Sequence, residues 1–318
     1  MSTYRALKGY SVKSLASDPA NPKEGQIWYN SSAKAITIRP LLSAWASGGN
    51  LNLARSHLAG AVNGTQTAGL AFGGANPAPT AKNESEEYDG SSWTEGNNLA
   101  NARRFLAGAG TQTAGLAFGG VAPGGTLAHS EEYNGTSWAE GNNLNTARNA
   151  LGGCGLQTAG LAFGGYPGPK DHSEEYDGTS WAEGNNLNTA RRELTGLGLQ
   201  TAGLAFGGSP SVTTEEYDGT SWTNGGDLTT GRVYMGGSGT QTAGLAFGGQ
   251  ASPGVFAGTE KYDGSAWSNT SNMATARTEL AGGGTQALAL AFGGSTGSLS
   301  NATEEFTEAL TTRTMDVS

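Results

Sequence analysis

The nine-residue string QTAGLAFGG begins at Gln66 and returns at Gln112, Gln157, Gln200 and Gln241, with a worn form, QALALAFGG, at Gln286. A chain with six copies of one short unit is committed to a repeat architecture, in which each unit buries its apolar face only against its neighbours. The phenylalanines of these strings run from Phe72 to Phe292 in five steps, a mean of 44 residues. That period fits a four-stranded propeller blade and is long for ankyrin or leucine-rich units. Within each copy the apolar positions alternate with a period of two and not 3.6, which disfavours a helical repeat.

The fourth copy can be read strand by strand. Residues 191–198 form a first strand rich in small residues, and Gln200-Thr201-Ala202 turns the chain into Gly203-Leu204-Ala205-Phe206, closed by Gly207-Gly208. After a loop that differs in every copy, Thr214-Glu215-Glu216-Tyr217 makes a third strand. Asp218-Gly219 reads as a tight hairpin turn with positive φ at both central positions, leading to Trp222 on a fourth strand. Leu204 and Phe206 project from one face and Ala205 from the other, so that adjacent blades nest. The six first strands read LAGAVNG, LAGAG, LGGCG, LTGLG, MGGSG and LAGGG, small enough to converge on one axis. The array opens on Trp45, a fourth-strand residue, and ends on Glu304-Glu305-Phe306, a third-strand motif. Pairing the two terminal segments closes the ring and leaves no open edge; the alternative is that residues 35–38 supply the third strand of that blade.

Composition narrows the class. The chain has 53 glycines but also aromatic residues at fixed places, so it is neither collagen-like nor a disordered linker. A formal charge of −9 argues against a nucleic-acid surface, which needs a basic stripe. Cys154 is the single cysteine, so one chain builds neither a disulfide nor a thiolate zinc site, and it reads as a filler on an inner strand. No apolar run reaches the length of a signal peptide or membrane span, and the expectation is a soluble protein made in a cytoplasm. Residues 1–40 lie outside the repeat as a leader, with strands over 26–29 and 35–38 forming a small hairpin, and residues 41–318 are expected to be the propeller with a short C-terminal tail. The leader either covers one end of the propeller or docks onto a larger assembly.

The order of an arginine, a double glycine, a tyrosine and then a tryptophan about five residues later resembles the kelch repeat. The resemblance covers about residues 41–306. It rests on six double glycines, five tyrosines with Phe306, and Trp45, Trp93, Trp138, Trp181, Trp222 and Trp267. It implies an all-β, six-bladed propeller of four-stranded antiparallel blades with the first strand of each blade innermost. Arg55, Arg103, Arg148, Arg191, Arg232 and Arg277 occur once per copy, and each is expected to pair with a third-strand glutamate or to cap the loop entering its strand. Copper oxidases among kelch-like propellers use two histidines, two tyrosines and a crosslinked cysteine. With only His57, His129, His172 and the lone Cys154, this chain is expected to hold no metal or cofactor. The Asp-box of six-bladed sialidases also ends in tryptophan, but Asp177-Gly178-Thr179-Ser180-Trp181 is one residue shorter between Asp and Gly. Neither paired glycosidase carboxylates nor a Ser/His/Asp set stands out, because most candidates recur, so no catalytic residue is assigned.

In a meander the loops between second and third strands all lie on one face, and here they are the part that differs between copies. Asn76, Pro79, Pro123, Tyr166, Lys170, His172, Pro210, Val212, Pro253 and Phe256 are the candidate binding residues on that face. Drift in unconstrained loops would give the same variation. Units such as SEEYDGTSWAEGNNLNTARRELTGLGLQTAGLAFGG, preceded by SDPANPKEGQIWYNSS, resemble virion-associated repeat proteins of marine tailed bacteriophages, namely fibre, appendage or decoration proteins. That resemblance implies a non-enzymatic structural or adhesion protein of a virion, made in the host cytoplasm. Its leader would bind other virion proteins, and its propeller would be displayed toward host-surface glycan or a receptor. A protein-interaction propeller and a sialidase-like hydrolase are the alternatives.

Overall fold

Alternation of large and small residues in each copy yields a four-stranded antiparallel sheet. The computed structural model describes residues 12–23, 26–39, 41–209, 213–310 and 313–316, and among these every regular element is a strand. In the fourth blade Thr195–Leu199, Ala202–Phe206, Thr214–Tyr217 and Trp222–Asn224 pair in that order, with Phe206 opposite both Thr195 and Thr214. The first, second, third and fifth blades repeat this order, their inner strands being Ala59–Gly60, Ala107–Thr111, Gly152–Leu156 and Gly236–Thr240. The sixth combines Ala281–Gly284, Leu288–Phe292 and Thr303–Leu310 with Leu41–Ser47 from the other end of the chain. Each inner strand neighbours those of the two adjacent blades, and the sixth neighbours the first. The chain is a six-bladed propeller closed by its terminal segments.

Blades pack as the alternation requires. Phe206 meets Trp267 of the next blade at 4.9 Å between ring centroids, with Leu204 against Ala246, while Ala205 turns back onto Leu161 and Phe163 of the preceding blade. Each junction is also pinned by hydrogen bonds. Trp222 Nε1 donates to Ser173 Oγ at 3.0 Å, and Gln200 Nε2 donates to the carbonyls of Gly160 (3.0 Å) and Tyr176 (2.8 Å). The glutamine that opens each repeated string is therefore a clasp onto the preceding blade; Gln66 plays the same part across the seam, on Ala289 and Phe306.

Two local expectations need correction. The first strand of the fourth blade begins at Thr195 and not at Arg191, because Glu193 sits at φ 62° and breaks the extended run. The Asp218-Gly219 pair is not a two-residue hairpin turn. Tyr217 faces Trp222 across a four-residue loop, in which only Gly219 has positive φ and the Asp218 carboxylate accepts the N–H groups of Thr220 (2.8 Å) and Ser221 (2.7 Å). An aspartate hydrogen-bonded to its own loop replaces the mirror-image turn.

Those hydrogen bonds, chiefly from the N–H three residues on, hold Asp89, Asp177, Asp218 and Asp263 below the ordinary carboxylate range, Asp89 at about 2. A folded pKa below the unfolded one gives stability that is present above the unfolded value and lost as pH falls through the folded value. Asn134 already makes the same two bonds in the second blade without a titrating group. Changing all four aspartates to asparagine is therefore expected to flatten the fall in thermal midpoint between about pH 5 and about pH 2. Melts that fall equally steeply in both proteins would show that other carboxylates set acid stability.

By contacts the chain divides into two compact units, Ala44–Thr307 and a second formed by Met1–Ser43 with Glu308–Ser318. In the second unit Ile27–Asn30 and Ala35–Ile38 make the expected hairpin, the first strand one residue later than expected. Lys13–Leu15 joins it in parallel, and Arg313–Asp316 pairs with Ala35–Ile38. Residues 35–38 thus do not complete the sixth blade, and the C-terminal segment is a strand of the leader sheet. Trp28 is fully buried there and donates to Asp18 at 2.8 Å.

Candidate recognition site

The repeated polar residues are engaged in the scaffold. Each repeated arginine is buried against a third-strand glutamate of its own blade: Arg55–Glu86 and Arg148–Glu174 at 2.8 Å, Arg191–Glu215 and Arg277–Glu304 at 3.0 Å, Arg103–Glu131 and Arg232–Glu260 at 3.1 Å. Burial pulls the arginine pKa values down, that of Arg232 to about 10, against the opposing pull of each carboxylate. The following glutamate accepts a tyrosine hydroxyl from the next blade, as in Tyr88 to Glu305 (2.6 Å), Tyr262 to Glu216 (2.5 Å), and the Tyr133–Glu87, Tyr176–Glu132 and Tyr217–Glu175 pairs. Burial, reinforced by the carboxylates, raises these phenols, Tyr88 to about 12, which keeps them donors. The repeated tryptophans are blade-to-blade packing, and Cys154 is fully buried with its thiol pushed up to about 12.

What differs between copies comes together at one end of the axis. Two residues after each repeated arginine the chain takes a left-handed conformation on a residue other than glycine: His57 (φ 53°), Phe105 (55°), Ala150 (49°), Glu193 (62°), Tyr234 (52°) and Glu279 (60°). Such a conformation costs about 1–2 kcal/mol per residue and persists where the surroundings compel it. Here they do. The N–H of each of these residues donates to the carbonyl of its counterpart in the preceding blade, at 2.7–3.1 Å, and His57 closes the circle on Glu279 at 3.0 Å. A ring of six backbone hydrogen bonds thus encircles the axis, and its six side chains are all different in setting. Residues just before them pair with the starts of the variable loops, as in Arg104 with Val121, Asn149 with Tyr166 and Arg192 with Ser209. The ring therefore lies on the variable face.

The ring side chains form a half-closed cover. Phe105 and Tyr234 come from opposite blades, with ring centroids 5.9 Å apart, and His57 packs on both, at 3.8 and 5.6 Å. His57 Nε2 lies 3.2 Å from Glu279 and Arg192 Nε lies 3.2 Å from Glu193, while burial, reinforced by the neighbouring Glu193, raises the Tyr234 phenol. Only Ala150 is small, which leaves a notch over the third blade. Beneath lies a cavity of about 120 Å³ walled by inner-strand residues, with Val62 among its lining. At the other end Asn63 donates its side chain to Gly155 (3.1 Å) and Gly198 (3.2 Å) and its N–H to Gly110 (3.0 Å), spanning from the first blade to three others. Among the described residues, Asn63 bridges the far end of the axis, and the cavity is lined by the ring on the variable face.

Ser56, His57 and Glu279 have the residue types of a hydrolytic triad, with Ser56 Oγ 3.0 Å from His57 Nδ1. Ser56 is 1% exposed, so its oxygen is not presented to a substrate and the chain of contacts orients the histidine. Among the described residues no three His, Cys, Asp or Glu side chains gather as metal ligands would.

The loop residues singled out from the sequence divide. Tyr166 is 43% exposed at the rim of the notch, with the Arg192 guanidinium 5.6 Å from its ring centroid, and Lys170 lies on the same loop. Pro253 lines a second cavity, of about 430 Å³, beside Glu193 and Tyr234. Pro79 and Pro123 are exposed on their loops. Asn76 instead serves the scaffold, donating to the Ala54 carbonyl at 2.7 Å, and Phe256 covers the buried Arg232. His172 sits 3.7 Å from Asp171 at the start of a third strand. Pro210 and Val212 lie outside the described residues. The axial ring was missed, although the two positions after each repeated arginine read SH, RF, NA, RE, VY and TE and are the ones that vary inside an otherwise constant stretch. No protein-family model matches the chain, and no curated protein matches it, so the propeller itself is the description on which a functional reading stands.

Proposed function

We propose that the chain is a non-enzymatic recognition module of a phage virion, a fibre, appendage or capsid decoration, whose variable propeller face contacts host-surface glycan or a receptor. One observation carries the recognition part: the side chains that differ between copies converge on a single face and its axial pocket, whereas the repeated polar groups are consumed by bonding within and between blades. A rigid ring that varies only where it faces outward is the arrangement expected of a binding scaffold. The virion setting rests on the resemblance of the repeat and leader to virion-associated proteins, with the leader sheet as the attachment to other particle proteins.

Two measurements test this reading. Mass spectrometry of purified particles is expected to find the protein, and its absence would remove the virion setting. Arrayed bacterial envelope glycans are expected to retain the protein without any change in glycan mass. Release of shortened glycan would replace binding with hydrolysis.

A further inference from the structure

The notch at Ala150 interrupts the cover of the axial pocket, and the polar groups around it are not like those elsewhere on the ring. The Glu193 carboxylate is paired with Arg192 Nε at 3.2 Å, and the Asn149 amide donates to Thr126 Oγ1 at 2.8 Å. What is left unengaged is donor capacity. The Arg104 guanidinium, on the second blade, lies over the Phe105 ring at 4.9 Å and makes no hydrogen bond or ion pair among the described residues. The terminal nitrogens of Arg192, on the fourth blade, likewise make no hydrogen bond or ion pair among the described residues, although its guanidinium lies 5.6 Å from the Tyr166 ring centroid, and that side chain is 37% exposed. Tyr166, 43% exposed, belongs to the third blade, between the blades that carry these two arginines.

We infer that this notch is a binding site for an acidic sugar, a pyranose bearing a carboxylate. The sugar ring would stack on Tyr166, and its carboxylate would be taken by Arg104 and Arg192. The inference rests on the recognition reading above and adds to it the subsite and the ligand class. An aromatic face offers the apolar side of a pyranose a flat partner, and a guanidinium fork matches a planar carboxylate better than a hydroxyl. A neutral sugar leaves one cation of the pair unmatched. A ligand cation would be set against the two arginines, and the nearby Glu193 and Glu279 are already paired with Arg192 and His57. The aliphatic walls beneath the notch give room for a small apolar substituent carried by the sugar.

Titration calorimetry of the full chain with the methyl glycosides of N-acetylneuraminic acid, galacturonic acid and galactose tests the inference. At least one acidic glycoside is expected to bind at least tenfold more tightly than the galactoside. Arg104→Gln, Arg192→Gln and Tyr166→Ala are each expected to weaken that binding at least tenfold with the unfolding midpoint unchanged. Ala150→Phe is expected to do the same by filling the notch, and the second blade already places Phe105 at the matching left-handed position, so the fold accepts it. Equal affinity for the galactoside, or acidic binding indifferent to all four substitutions, would overturn the inference. If no glycoside binds while the envelope-glycan array still retains the protein, the acidic-sugar site is wrong and the recognition reading stands. Loss of array retention as well removes both.

Discussion

Arg191→Met is expected to destabilise the propeller by about 3–5 kcal/mol, the cost of leaving one member of a buried ion pair alone. Arg191 is fully buried, with Nη2 3.0 Å from Glu215 and Nη1 donating to the carbonyls of Gly207 (3.1 Å) and Thr213. Glu215 is equally buried and also accepts the N–H groups of Asn188 (2.6 Å) and Thr189 (3.3 Å). Removing the arginine strands a carboxylate whose remaining donors are backbone dipoles, and it takes a donor from the carbonyls of Gly207 and Thr213. The double variant Arg191→Met with Glu215→Gln is expected to be less destabilised than Arg191→Met alone, because a neutral amide still accepts from Asn188 and carries no charge to desolvate. Arg192→Met, one residue on, is expected to change stability by no more than about 0.5 kcal/mol, since its guanidinium is partly exposed. Denaturant midpoints of the four proteins decide the matter. Equal costs at Arg191 and Arg192 would mean that the repeated arginines are not what ties each blade together.

Adjacent residues thus serve opposite ends, one the scaffold and one the proposed site, and this pairing shows what the sequence could convey. Arg191 recurs in every copy with a third-strand glutamate 24–31 residues on, so periodicity made their pairing one of two expectations, beside capping of the loop. Arg192 and Glu193 occupy positions that vary between copies, and variation by itself is equally the mark of drift. What raises them above drift is the ring of left-handed residues. None of His, Phe, Ala, Glu or Tyr announces that conformation, as glycine or asparagine would. The bridged end of the axis was visible only as a length difference. LAGAVNG in the first inner strand is two residues longer than LAGAG in the second, and the extra Val62 and Asn63 fill the axis. The four-residue aspartate loops were misread because Asp-Gly fits a tighter turn equally well, and register across Tyr217 and Trp222 decides between them.

Removing residues 1–47 is expected to have the largest effect of any change short of disrupting several blades. It deletes the fourth strand of the sixth blade, Leu41–Ser47, and with it Trp45, whose ring meets Phe247 at 5.1 Å and Phe306 at 5.3 Å and whose Nε1 donates to Thr259 at 3.1 Å. A fully buried tryptophan is worth about 3–5 kcal/mol in a packed core, and the partly buried Trp45 contributes less than that. The greater loss is topological. The Thr303–Leu310 strand becomes an open edge, a template for pairing with another chain. Contacts that cross the seam, among them Gln66 on Phe306 (2.6 Å) and the His57 link that closes the backbone ring (3.0 Å), then no longer benefit from ends held together in advance. The shortened chain is expected to associate or to unfold at a much lower denaturant concentration, whereas removal of residues 1–39 leaves the seam strand in place and is expected to preserve the propeller's midpoint. A synthetic peptide of residues 41–52, added in trans, is expected to restore the monomer by supplying the missing strand. Sedimentation with far-ultraviolet dichroism reads all three results, and a monomeric, unshifted 48–318 chain would show that six blades hold their circle without the strand that joins the two ends.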